Sequence, residues 1–272
     1  MEAVPPFELY LFFYGRQWLL RGDEAGVDGF VVDWEIRGKA ERQVGYDTEI
    51  NTHTVGELEE VRAATARRVL CRLNPVGPWT PGEIEAAVGA GADEVLVPMV
   101  RSAAEVATVL DFAGGRCGVG ILVETQEAVA AAEELAALPL SRVYVGLQDL
   151  AIARRSTNPF LSVSDGTVEK VRGFFSVPFG FAGLTVPEGG FPIPSRLLAA
   201  EMVRLRCNFT FLRRSFYRDV AGKDMGAAIG SIRQALAEAS SWPQERLEAE
   251  HRELLRAIAG ADVFFAEKHG RA

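Results

Sequence analysis

The sequence predicts a (β/α)8 TIM barrel with an extra C-terminal helix. Eight apolar runs alternate with helical segments along 272 residues, and several of the runs are continuously apolar. Continuous apolar runs are typical of parallel strands buried on both faces, and about 250 residues suffice for one barrel. A doubly wound sheet is the alternative, but no G-x-G-x-x-G motif follows the first run. We expect one barrel domain over 1–272, in which 243–272 form a helical extension.

The predicted strands follow one another at regular intervals. In order they are Leu9–Tyr14, Gly29–Glu35, Val69–Leu73, Glu94–Val97, Gly118–Val123, Arg142–Leu147, Phe181–Val186 and Asn208–Leu212. Three capping boxes, which begin at Thr54, Thr80 and Ser102, predict helices a few residues after a strand or loop. Further helices are predicted over 16–25, 126–137, 166–175, 225–239 and 247–258. Two connections, 36–53 and 151–178, are long enough to be functional loops.

Composition excludes some classes of partner. The net charge of −8 argues against nucleic acid and anionic membranes. The three cysteines lack a C-x-x-C pair, which indicates buried free thiols in a reducing compartment. The N-terminus carries no basic leader, and its LYLFFY run is too short to span a bilayer. We therefore expect a cytoplasmic protein that binds neither nucleic acid nor membrane.

Two carboxylates mark the candidate site. Glu124 ends the fifth predicted strand, and Asp149 follows the sixth, one βα repeat later. Neighbouring parallel strands place both at one edge of the sheet, where barrel enzymes keep their active sites. Two such oxygen donors are able to hold a hard cation such as Mg²⁺. The alternative is that both acids only cap the helix and turn that follow.

Several short motifs resemble one enzyme superfamily. They are VPMVRSAAEV (97–106), ILVETQEAV (121–129), VGLQDLA (145–151), Asp33-Trp-Glu35, Arg72-Leu-Asn74 and, faintly, Leu212–Phe216. In order and spacing they are similar to the HpcH/HpaI aldolase and citrate lyase β-subunit superfamily of phosphoenolpyruvate/pyruvate-type barrels. The resemblance implies the same (β/α)8 barrel, with Mg²⁺ or Mn²⁺ held by Glu124 and Asp149.

The same resemblance assigns a catalytic role to Arg72. In the family the matching arginine binds the keto-acid oxygen beside the metal, where its charge stabilises an enolate. The alternative is a structural ion pair with Glu35 or Glu124. Pro98, Met99, Gly146, Gln148 and Arg213 are the further predicted substrate-binding residues.

The proton-transfer group is the point where the sequence departs from the family. Asp33 and Glu35 leave one face of their strand and are the other predicted catalytic residues. The aldolase branch has Asp-x-Glu-His here, but this chain has Ile36 in place of the histidine. Lys39 and Arg42 fall near the lysine and arginine of the citrate-lyase branch. The base is therefore open between His53, Lys39, Glu35 and a water on the metal.

These residues together predict a metal-dependent carbon–carbon lyase or aldolase that uses a pyruvate-like 2-oxo acid and an aldehyde. A citryl- or malyl-CoA-type thioester lyase and a catalytically silent binding or assembly barrel are the alternatives. We also expect a homo-oligomer, because the 247–258 helix carries an apolar stripe that a closed barrel does not need: Leu247, Leu254, Leu255 and Ile258.

Overall fold

Eight parallel strands organise the chain in a computed structural model that describes residues 7–43, 51–212 and 214–269. The strands are β1 Glu8–Phe12, β2 Gly29–Asp33, β3 Arg68–Arg72, β4 Glu94–Val97, β5 Gly118–Val123, β6 Arg142–Val145, β7 Phe179–Phe181 and β8 Phe209–Leu212. They neighbour one another in the order β7-β6-β5-β4-β3-β2-β1-β8. The seam between β7 and β8 is closed by a bridge from Gly183 to Phe211 and by Asn208 N, which donates to Phe179 O at 2.9 Å. The predicted (β/α)8 barrel is confirmed.

Helices surround this barrel and connect its strands. They are α1 Arg16–Ala25, α2 Lys39–Arg42, α3 Val55–Ala64, α4 Thr80–Gly89, α5 Ala103–Ala113, α6 Gln126–Ala130, α7 Ala132–Ala136, α8 Leu147–Ala153, α9 Leu161–Ser164, α10 Thr167–Arg172, α11 Ser195–Arg204, α12 Arg214–Asp219, α13 Met225–Ser240, α14 Gln244–Gly260 and α15 Asp262–His269. The predicted helix over 126–137 is two short helices, α6 and α7. The predicted C-terminal helix is α14, and α15 extends it.

The three predicted capping boxes have different outcomes. The box at Thr54 is confirmed, because the Thr54 hydroxyl accepts from Glu57 N and the Glu57 carboxylate accepts from Thr54 N. Ser102 caps α5 by accepting from Glu105 N. The Glu105 carboxylate, however, accepts from Arg101 N instead of closing the box.

The box predicted at Thr80 is wrong. The N-cap of α4 is Trp79, and the Thr80 hydroxyl accepts from Gly77 N. The Glu83 carboxylate instead accepts from Asn74 N and Asn74 Nδ2, at 3.1 and 2.6 Å. Glu83 therefore orders the loop after β3, on the face that carries the candidate site.

The sixth and seventh predicted strands end early for local reasons. The sixth ends at Val145 because α8 begins at Leu147. The seventh, predicted over 181–186, covers Phe179–Phe181 instead. Ala182 has a φ of 51°, in the left-handed region that a strand does not use, and so the chain turns away there.

The apolar stripe of α14 faces its own chain. Leu247, Leu254 and Ile258 are buried, and α14 lies against α11. His251 Nδ1 pairs with the buried Glu201 carboxylate of α11 at 2.9 Å. Because three of its four residues are buried within the chain, the stripe does not indicate a homo-oligomer, and the oligomer itself stays a prediction.

Two remaining expectations concern the thiols and the membrane. Cys71 and Cys207 are buried and Cys117 is half-buried, all three with free thiols, as predicted. Within the described ranges no helix is long and apolar enough to cross a membrane.

Candidate active site

Four predicted site residues meet at the C-terminal end of the barrel. Asp33 ends β2, Arg72 ends β3, Glu124 directly follows β5, and Asp149 lies in the first turn of α8. All four side chains are buried. Parallel strands present their C-terminal ends on one side, so residues far apart in sequence converge here.

Arg72 is held by a carboxylate on the neighbouring strand. Its Nε and Nη2 donate to the two oxygens of Asp33, at 2.7 and 2.6 Å. Its Nη1 lies 3.4 Å from Glu35 Oε2 and donates no hydrogen bond within the described ranges. Burial acts to lower the pKa of Arg72, but Asp33 and Glu35 outweigh it and the pKa lies well above its ordinary value. The structural ion pair weighed for Arg72 thus exists, mainly with Asp33.

Asp33 is the best-satisfied acid of the site. Besides Arg72, its carboxylate accepts from Glu35 N at 3.2 Å, from Asn51 Nδ2 at 3.1 Å and from Lys39 Nζ at 3.4 Å. With both oxygens occupied, Asp33 orients other groups and has little capacity left to take a proton. Two of the base candidates also have partners here. Lys39 is buried between Asp33 and Glu35, and His53 Nδ1 accepts from Asp33 N at 2.9 Å.

Glu35 keeps one oxygen without a hydrogen bond. Its Oε1 accepts from Arg42 Nη2 at 2.7 Å. Its Oε2 lies 3.4 Å from both Lys39 Nζ and Arg72 Nη1, is buried, and accepts no hydrogen bond from the described residues. An open acceptor of this kind suits a group that receives a proton from a ligand.

Glu124 has a strongly perturbed pKa. Burial, followed by the charges of Asp149 and Glu35, raises it from an ordinary value near 4.5 to about 8, against the lowering effect of Arg72. One carboxylate oxygen, Oε2, accepts from Met99 N at 3.1 Å. Met99 reaches that position with a φ of 55°. Its backbone therefore contacts the site through Glu124.

Gly146 makes room for the same carboxylate. A Cβ at this position would lie 2.3 Å from Glu124 Oε1, a distance that no side chain tolerates. The glycine was predicted to let the backbone approach a ligand, and its neighbour here is instead Glu124. Pro98 is buried and Gln148 is half-buried on α8. Arg213 lies outside the described residues, so these substrate contacts stay predictions.

Asp149 is bound by two consecutive residues of the loop after β2. Arg42 Nε donates to its Oδ1 at 2.7 Å, and Gln43 Nε2 donates to both oxygens at 3.0 Å. Burial acts to lower the pKa of Arg42, but Asp149 and Glu35 raise it above its ordinary value.

The capping alternative for the two acids is wrong. The N-cap of α6 is Thr125, whose hydroxyl accepts from Ala128 N. The N-cap of α8 is Gly146, without a side-chain cap. Glu124 and Asp149 point to the site instead of satisfying helix termini.

The donor set fits a hard cation that takes only two of its ligands from the protein. Two carboxylates, completed by water and a ligand, are a usual protein contribution to a Mg²⁺ site. Glu124 Oε1 accepts no hydrogen bond from the described residues and is therefore available to bind a cation. Within the described ranges, no group of three or more His, Cys, Asp or Glu side chains is arranged so that it could hold a metal ion. A metal here would therefore rest on two protein carboxylates.

The polar residues that order the loop after β2 were not predicted as site residues. Asn74 Oδ1 accepts from Ile36 N and Arg37 N, at 3.0 and 2.8 Å. Gln43 holds Asp149. For Asn74 the sequence contained a signal, the Arg72-Leu-Asn74 motif. For Gln43 the only signal was its position next to Arg42.

Comparison with known proteins finds one kind of likeness. No family model and no curated protein matches the sequence. A solved structure, a HpcH/Hpal aldolase/citrate lyase family protein from Burkholderia cenocepacia J2315, matches with a TM-score of 0.56 over 88% of this chain and 96% of that chain. The two chains share one fold. At 17% identity the match confirms the resemblance at the level of the fold, in divergent form.

Proposed function

We propose that this chain is a divalent-metal-dependent carbon–carbon lyase or aldolase that acts through the enolate of a pyruvate-like 2-oxo acid. The observation that carries the proposal is the position of two buried acids beside an arginine. Asp149 lies close enough to Glu124 for its charge to raise the pKa of Glu124, and neither residue caps a helix. A strongly perturbed carboxyl group in a barrel mouth favours a functional site.

Glu124 and Asp149 would hold Mg²⁺ or Mn²⁺. A bound ion would act as a Lewis acid on the carboxylate and keto oxygens of the 2-oxo acid. Its charge would also offset the mutual repulsion of the two neighbouring buried carboxylates.

Arg72 would bind the oxygen on which negative charge develops. Asp33 fixes the guanidinium plane through Nε and Nη2, which leaves Nη1 as the remaining donor. A fixed donor that needs no reorganisation during the reaction is the most effective stabiliser of an enolate oxygen. Asp33 is in this account a positioning residue.

Glu35 would take the proton. Its Oε2 is a buried acceptor without a hydrogen bond, 3.4 Å from Arg72 Nη1. In the cleavage direction the substrate hydroxyl would give its proton to Oε2, the carbon–carbon bond would break, and the electron pair would pass into the enolate beside Nη1. This assignment supplies the base that Ile36, in place of the family histidine, does not.

One observation favours the thioester-lyase alternative. Lys39 and Arg42, near the lysine and arginine positions of the citrate-lyase branch, both contact acids of the site. Turnover that depends on acetyl-CoA instead of a free 2-oxo acid would assign the chain to that alternative.

The direct test is exchange of the methyl protons of pyruvate with D₂O, followed by proton NMR. We expect exchange above buffer only with Mg²⁺ or Mn²⁺. Arg72→Lys should slow it by at least about tenfold, because a point charge does not reproduce the guanidinium fork. Arg37→Lys is the matched control, since Arg37 is exposed and lies over the Trp79 ring. Absence of exchange with pyruvate, 2-oxobutyrate and oxaloacetate would refute the enolate proposal.

A further inference from the structure

Arg42 stands beside Asp149 where a cation would bind. Its Nε donates to Asp149 Oδ1 and its Nη2 to Glu35 Oε1, both at 2.7 Å. One guanidinium thus bridges an acid that follows β2 and an acid that follows β6. Asp149 therefore already has a positively charged partner without any metal.

Gln43 completes the same arrangement but leaves one of its own atoms unsatisfied. Its Nε2 donates to both oxygens of Asp149, while its Oε1 is buried without a hydrogen-bond partner among the described residues. Asp149 enforces this amide orientation, because the reverse would put oxygen against oxygen. A cation on Asp149 would remove the constraint, and a half-turn of the amide would aim Oε1, a hard oxygen donor, at the cation.

The charges of the mouth would balance if a divalent ion took the place of Arg42. The described mouth holds four acids and three cations: Asp33, Glu35, Glu124 and Asp149 against Lys39, Arg72 and Arg42. A divalent ion bound to ionised Glu124 and Asp149 would give five positive charges against four negative ones. If the Arg42 side chain leaves the mouth, four positive charges face four negative ones. Lys39 and Arg72 are almost fully buried, whereas the Arg42 side chain is 16% exposed and has a way out to solvent.

We propose that Arg42 is an internal counter-ion of Asp149 that competes with the divalent metal, so that the metal binds only when the Arg42–Asp149 ion pair opens. This inference rests on the proposed function, since it takes Glu124 and Asp149 as the metal ligands. It assigns to Arg42 control over the affinity of the site. Removal of its charge should strengthen metal binding, the opposite of what the loss of a supporting residue would do.

The test is calorimetric titration of the full chain with Mn²⁺. Arg42→Gln should bind Mn²⁺ about tenfold more tightly than the unchanged chain, the size of effect expected from one close charge–charge hydrogen bond. Arg42→Lys keeps the charge but cannot bridge both acids, and it should fall between the two. Arg37→Gln, in the same loop but over Trp79, should leave the affinity unchanged. Circular dichroism checks that each variant is folded. If Arg42→Gln does not fold, the affinity of Arg42→Lys decides the test.

The possible failures are distinguishable. Equal or weaker Mn²⁺ binding by the Arg42 variants, beside measurable binding by the unchanged chain, overturns the inference and leaves the metal site standing. No Mn²⁺ binding by any of the four proteins overturns the inference together with the metal in the proposed function.

Discussion

Two clusters of buried charged side chains close the two ends of the barrel, and they differ in how completely their charges are paired. One surrounds Arg142 at the N-terminal ends of the strands. The other surrounds Arg72 at the C-terminal ends. Both contain an almost fully buried arginine beside carboxylates, so sequence composition alone does not separate them.

The Arg142 cluster is fully satisfied. Its guanidinium donates to Glu94 Oε1 at 2.6 Å, to Tyr10 Oη at 2.9 Å and to Glu8 Oε2 at 3.4 Å. Its Cζ lies over the rings of Tyr10 and Phe209, 4.6 and 4.8 Å from their centroids. Burial acts to lower the pKa of Arg142, and Glu94 raises it above its ordinary value. No buried acceptor of this cluster lacks a hydrogen bond in the described ranges.

The Arg72 cluster is incompletely satisfied by comparison. Glu35 Oε2 and Gln43 Oε1 are buried acceptors without hydrogen bonds, and the pKa of Glu124 is raised to about 8. Such groups are costly unless something binds to them. From this comparison we expect the closed cluster to stabilise the barrel, and we propose that the open one binds a ligand.

The largest predicted effect tests the closed end. Arg142→Met should lower the free energy of unfolding by about 3–5 kcal/mol, because it leaves the Glu94 carboxylate buried and unpaired. Urea denaturation measures this loss. The double variant Arg142→Met/Glu94→Gln should recover part of it, and Mn²⁺ affinity should not change in either protein. A loss below about 1 kcal/mol would show that the Arg142 cluster does not stabilise the fold.

A second effect, smaller over each pH unit, tests the open end through pH. Glu124 binds its proton more tightly in the folded chain than in the unfolded chain. Its contribution to stability is therefore fully present below pH 4.5 and is lost as pH rises through about 8. Without metal, the contribution of Glu124 to the free energy of unfolding should therefore fall by about 1.4 kcal/mol per pH unit between pH 4.5 and about 8.

Glu124→Gln is the matched variant, because the amide keeps the shape of the side chain and does not titrate. Urea denaturation at intervals from pH 5 to pH 8 should show a shallower decline for the variant than for the unchanged chain. If the stability of the variant and of the unchanged chain declined in parallel with pH, the raised pKa of Glu124 would be contradicted. The incomplete pairing of charges at this end of the barrel would then be contradicted as well.

The sequence was sufficient for the barrel and for the convergence of the acids, since both follow from periodic apolar runs and from strand direction. It was insufficient for the partners of each acid. The pairing of Arg72 with Asp33 depends on the register between β2 and β3, in which these two residues are directly opposite. The contact of Arg42 with Asp149 joins residues 107 positions apart through an irregular loop. Likewise, α14 carries a plausible interface stripe, and only its position against α11 reveals that the stripe is buried.

Titration with Mn²⁺ tests the central claim, that the open cluster is a metal site and the closed cluster is not. The unchanged chain should bind one Mn²⁺, and Glu124→Gln and Asp149→Asn should each abolish measurable binding while the fold is retained, because both residues lie at the barrel mouth. Glu94→Gln, the matched change at the closed end, should bind Mn²⁺ as the unchanged chain does. Unchanged affinity in Glu124→Gln and Asp149→Asn, or a loss in Glu94→Gln alone, would contradict the account.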